Sequence, residues 1–68
     1  MKVFAERLRN SLKASNISQT DLAKRVKMSK SIINNYCSGK REPSLDVLVL
    51  ICKELDETSD YLLGLSDN

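Results

Sequence analysis

Ser18 to Gly39 reads SQTDLAKRVKMSKSIINNYCSG, and the rest of the chain is organised around it. The spacing predicts two short helices, Gln19 to Val26 and Lys30 to about Ser38, meeting at a tight turn over Lys27-Met28. Ser18 is placed to cap the first helix, with Asp21 three residues on as its capping-box partner. Ser29 is placed to cap the second by accepting from an orphan N–H of its first turn. Gly39 supplies a stop that tolerates positive φ.

The second helix of the pair is the informative one. At 100° per residue, Ile32, Ile33 and Tyr36 fall within about 100° of each other and form one apolar stripe. Lys30, Ser31, Asn34, Asn35 and Ser38 gather on the opposite side. A solvated helix face is normally laced with Glu and Lys, whose helix propensity exceeds that of Ser and Asn. Ser and Asn inside a helix cost a few tenths of a kcal/mol each, so something other than helix stability selects them. Side chains of this kind read base edges in a DNA major groove: Asn pairs with adenine, Lys with guanine, Ser with either.

Outward from this stretch, periodicity predicts three more helices. The first runs from about Val3 to Ala14, with Phe4, Leu8 and Leu12 as its buried edge. Arg7, Arg9 and Lys13 lie elsewhere on it, and most of them read as a solvated basic face. Ile17 packs the entry to the second helix, where Leu22, Ala23 and Val26 face the core. Small Ala23 lets the third helix cross closely. After Gly39 comes a basic loop, Lys40-Arg41, suited to gripping a phosphate backbone or entering a minor groove. Pro43 forbids helix at its predecessor. The fourth helix, Leu45 to about Leu55, has Ser44 as cap and Leu45, Leu48, Ile51, Cys52 and Leu55 as core stripe. Val47 and Leu50 lie together about 130° from the centre of that stripe. A helix apolar on a second face buries it against something, and a homodimer interface is expected there. The fifth helix is short, capped by Thr58 or Ser59 and stopped at Gly64. Its apolar residues exceed what docking needs, so Leu62 and Leu65 are assigned to the same interface.

Composition bounds the function. Sixty-eight residues make a single domain over 1–68 with a modest core. At 41% hydrophobic and 29% charged, the chain is globular rather than disordered. One Phe and two Tyr are too few for single-strand binding by base stacking. Two cysteines without a histidine cannot complete a tetrahedral zinc site within one chain, and Cys37 and Cys52 are expected as small buried residues. No metal or cofactor is implied. Glu6 and Arg7 interrupt any leader-like N-terminus. The longest apolar run, Val47 to Cys52, falls far short of the roughly 20 residues a bilayer span needs, so a cytoplasmic location without membrane contact is expected. Residues 1–43 hold ten Lys/Arg against three Asp/Glu, a net +7, while residues 44–68 hold one against six, a net −5. One side can therefore face a polyanion while the other faces away.

Gln19, Leu22, Ala23, Val26, Met28, Ser29, Ile33, Tyr36 and Gly39 resemble the signature of the phage-repressor (Cro-type) helix-turn-helix family. The likeness continues through Lys40, Arg41 and Pro43, then Leu45, Leu48, Ile51 and Leu55, and closes on Leu62-Leu63-Gly64. It covers about Phe4 to Leu65. Lys27 stands where the family's turn usually carries Gly, which implies a non-glycine residue at positive φ. Cys37 stands where the family often has Glu. The resemblance implies an all-α, lambda-repressor-like bundle of five helices, with the second and third forming the helix-turn-helix. It also implies a sequence-specific double-stranded DNA-binding transcriptional regulator, a repressor acting as a homodimer on a two-fold operator. Lys30, Ser31 and Asn35 match the positions that read bases. Asn34 and Ser38 match positions nearer the backbone, and Gln19, Lys40 and Arg41 would hold phosphates. The alternative is a protein-interaction module, antitoxin-like, with a second protein such as an anti-repressor as partner. An enzyme is not expected: there is no His, no phosphate-binding Gly loop, and no cysteine with a base partner.

Overall fold

The computed structural model describes residues 1–67, which form five helices: α1 Lys2–Ser15, α2 Gln19–Val26, α3 Lys30–Ser38, α4 Leu45–Leu55 and α5 Ser59–Leu62. The described residues are otherwise turns and loops, so the fold is the expected all-α bundle. Four of the helices start on a hydroxyl cap. Ser18, Ser29, Ser44 and Thr58 accept from the backbone N–H of Asp21, Ile32, Val47 and Tyr61 respectively. Each such cap stabilises its helix by about 1 kcal/mol. The helix ends are equally local. Asn16, Lys27, Gly39 and Asp56 each take the left-handed conformation that returns their N–H to carbonyls of the last turn. Lys27, at φ 57°, does in the turn between α2 and α3 what the resembling sequences assign to glycine.

The core is one cluster. Phe4, Leu8 and Leu12 of α1 meet Leu22, Ala23 and Val26 of α2, then Ile33, Tyr36 and Cys37 of α3. Leu48, Ile51 and Leu55 of α4 and Leu62 of α5 close it. The expected stripes of α1, α2 and α3 are thus the buried ones, with Ile32 half-buried at the edge of its stripe. On α4 the stripe is narrower than expected. Leu45 is 79% exposed, and Cys52 is half-buried against the core. Leu45 is the first residue of its helix, and a helical side chain covers the turn N-terminal to its own Cα. It therefore lies outside the core, lining a hollow at the helix start with Pro43.

Two arginines depart from the solvated reading. Arg7 donates from Nη1 to the carbonyls of Tyr61 (3.1 Å) and Ser66 (2.8 Å), and its guanidinium lies 4.4 Å from the Tyr61 ring centroid. It thereby clips the end of α5 onto α1. Arg9 donates from Nη1 to the carbonyl of Cys37 and so holds the last turn of α3. Both reach carbonyls near helix C-termini, where a cation also meets the negative end of the dipole. Cys37 is buried as expected. Burial pushes its thiol up from the ordinary range, with Arg9 pulling partly back, and burial likewise raises Cys52.

At Gly64, φ is +79°, and a Cβ there would lie 2.8 Å from Val3 Cγ2. The chain's exit from α5 passes so close to α1 that a side chain here would have to displace Val3.

Candidate nucleic-acid interface

The buried stripe of α3 fixes the direction of its other face. Ile33, Tyr36 and Cys37 lie against α1 and α2, so the opposite side must point away from the bundle. Lys30, Ser31, Asn34 and Ser38 are exposed there, and Asn35 is half-buried. Among the residues expected to read bases, none is in the core. The ridge the sequence drew is a real surface, one cation with hydroxyls and amides around it.

Around this ridge the hydrogen bonds are specific. Asn34 Nδ2 donates to Gln19 Oε1 at 3.2 Å, joining the middle of α3 to the first residue of α2. Ser38 Oγ donates to the carbonyl of Asn35 at 3.2 Å, so its proton is already directed at its own helix. That same carbonyl accepts from the backbone N–H of Lys40 (3.0 Å) and of Arg41 (3.3 Å). Gly39, at φ 83°, makes the reversal that lets the chain fold back to it. The basic loop is therefore tied to the end of α3 through main-chain atoms. Lys40 and Arg41 are both exposed beside the ridge.

The charge distribution follows the same division. Lys24, Arg25, Lys27 and Lys30 are exposed along α2, the turn and the start of α3, continuous in sequence with the ridge. Asp46, Glu54, Asp56 and Asp60 are exposed on α4, its end and α5. An anionic partner is steered towards the first set and away from the second. Among the described residues no group of three His, Cys, Asp or Glu is arranged to hold a metal ion. Among the described residues, no helix is long and apolar enough to cross a membrane.

The residues assigned to a dimer interface do not stay together. Leu62 is fully buried (0%) and serves the core, so it offers a partner nothing. Val47 is half-buried and packs against the same core. Leu50 (45%) and Leu65 (75%) remain exposed. The larger apolar surface was missed. Leu45 and Val49 (50% exposed) line a shallow groove of about 580 Å³ with Leu48, Cys52 and Leu63. Lys53 and Ser59 border it. The i, i+4 spacing of Leu45 and Val49 carries the signal. It is legible only once Leu45 is taken out of the core stripe.

Comparison with known proteins agrees with the all-helical fold. A family model described as Helix-turn-helix matches residues 8–62. The chain is 33% identical over 66 residues to an uncharacterized HTH-type transcriptional regulator, YobD, of Bacillus subtilis (strain 168). That alignment takes in 97% of this chain but 59% of the relative, so the chain spans about three fifths of the curated relative's length. No solved structure matches the chain significantly.

Proposed function

Because the chain belongs to the Cro/C1-type helix-turn-helix family, we propose that it is a sequence-specific double-stranded DNA-binding transcriptional regulator, a repressor working as a homodimer in the cytoplasm. The observation that carries this reading is the outward ridge of α3 with the basic loop moored to its end. Lys30, Ser31 and Asn35 read base edges in the major groove, as their donor and acceptor sets allow. Gln19, Lys40 and Arg41 set the position on phosphates, which fixes register without carrying sequence information, and Asn34 is bonded to Gln19. Ser38 contributes least, since its proton is engaged by Asn35.

One helix-turn-helix unit makes few contacts, and two-fold pairing places two recognition helices on half-sites about 34 Å apart. The outer face of α4 suits a second copy better than the set read from sequence. Asp46 and Lys53 are both exposed and seven residues apart, hence on one line along the helix. Antiparallel pairing of two α4 helices about Val49-Leu50 sets each Lys53 against the other copy's Asp46. Leu45, Val49 and Leu50 are then removed from water. Occupying a promoter is sufficient for repression and requires no catalytic group.

Selection from random duplex DNA tests the function, followed by titration of the winning site across salt. Enrichment of a palindrome, with log affinity falling linearly against log salt, is the expected result. A chain that enriches no duplex and binds none at low salt would overturn the reading. The groove beside Leu45 and Val49 would then favour a protein-interaction module.

A further inference from the structure

The pair between Asn34 and Gln19 has a chemical direction, and that direction matters for a phosphate. A phosphodiester oxygen only accepts hydrogen bonds. A Gln side chain offers either a carbonyl oxygen or an NH₂, and only the NH₂ suits that partner. In this molecule Gln19 Oε1 already accepts from Asn34 Nδ2. The amide of Gln19 is thereby turned with its Nε2 hydrogens away from Asn34. Ser18 Oγ caps Asp21, and the N–H groups of Gln19 and Thr20, in the first turn of α2, have no carbonyl within their own helix to reach. The Gln19 Nε2 hydrogens and the N–H groups of Gln19 and Thr20 are therefore available in one place, while the N–H of Asp21 is taken by the cap.

We propose that Asn34 is a positioning residue. It reads no base and needs no phosphate contact of its own, but holds the Gln19 side chain in the one orientation that donates to the DNA backbone. This rests on the DNA-binding reading above and refines it, since sequence alone made Asn34 an independent backbone contact. The pair also spans the two helices of the motif. Gln19 is the first residue of α2, and Asn34 sits mid-ridge on α3, one turn from Lys30 and one from Ser38. The phosphate grip is thus set at a fixed offset from the base-reading side chains. Without Asn34, Gln19 regains its rotamers and the unfavourable amide orientation. Ordering such a side chain on binding corresponds to a loss of about 3- to 10-fold in affinity.

A double-mutant cycle with Asn34→Ala and Gln19→Ala, titrated on the selected site and on random duplex, tests this. Asn34→Ala is expected to weaken both duplexes by the same factor, about 3- to 10-fold. In the Gln19→Ala background it is expected to change neither. In the free protein, Asn34→Ala is expected to shift the Gln19 side-chain amide resonances while leaving the melting temperature in place. An equal loss in both backgrounds would show that Asn34 touches DNA by itself. A loss confined to the selected site would make it a base reader. No loss, or Gln19 resonances that do not move, would leave the pair without a role. Each of these outcomes overturns the proposal while leaving DNA binding intact. A wild-type chain that binds no duplex is a separate result, and it removes both readings.

Discussion

The outer faces of α3 and α4 break the same rule in opposite ways. Both are solvent-facing helix surfaces, where Glu and Lys would be the stable choice. On α3 the exposed positions carry Ser31, Asn34 and Ser38, which hydrogen-bond but favour helix poorly. On α4 they include Leu45, Val49 and Leu50, beside the charged Asp46 and Lys53, and these three favour helix or packing but not water. Each choice makes sense only if a second surface completes it. The α3 face is complementary to something rich in donors and acceptors. The α4 face is complementary to something apolar, with one positive and one negative spot in reach. Helix stability explains neither face, and the proposed function gives each its own partner: duplex DNA for α3 and a second copy of the chain for α4.

Substitutions sharpen this contrast, and the largest effect belongs to a residue that lies on neither face. Leu62→Ala should destabilise the fold by about 2–5 kcal/mol, because it empties a fully buried site. Denaturant unfolding at two protein concentrations checks this. A loss that appears only at the concentration where dimers form would return Leu62 to an interface. On the α3 face, Asn35→Ala should cost about 1–3 kcal/mol on the best site and relax preference at one base pair. Equal losses on cognate and random duplex would strike Asn35 from the readers. On the α4 face, Val49→Asp should weaken self-association at least tenfold, about 1.4 kcal/mol, with unfolding of the dilute chain unchanged. Sedimentation equilibrium measures it, and a wild-type chain that is already monomeric would break the comparison. Arg41→Ala should lower affinity for all duplexes alike and reduce the salt slope by about 1, whereas an unaltered slope would take Arg41 off the phosphates. The smallest change is a gain. Lys27→Gly should stabilise the fold by about 0.5–1 kcal/mol by relieving a side chain held at positive φ. A lower melting temperature would mean that the Lys27 stem packs usefully in the turn.

What could be read from sequence was whatever is decided within a few residues. The capping serines, the stops at Gly39 and Gly64 and the stripe Ile33-Tyr36 depend on neighbours one turn away, and the helix boundaries around them were legible almost to the residue. The outward direction of Lys30, Ser31 and Asn34 follows from that stripe, so the ridge was legible too. What failed depends on where other helices stand. Periodicity assigned Leu45 an angle near the core, but at the first position of α4 no neighbouring helix covers it. One turn of α5 is too short to carry a period, so the depth of Leu62 could not be read. Arg7 and Arg9 looked solvated because their acceptors, carbonyls of Tyr61 and Cys37, lie 54 and 28 residues away. The bond from Asn34 to Gln19 also joins separate helices, and no spacing rule within one helix would have found it.

The carbonyl of Asn35 gathers Ser38, Lys40 and Arg41, and it does so with an atom that every amino acid possesses. Exchange of the residue-35 side chain leaves that anchorage untouched. On the function proposed above, a lineage built on this scaffold rewrites what it recognises at residue 35 one mutation at a time, while its hold on the sugar-phosphate rail is inherited unchanged.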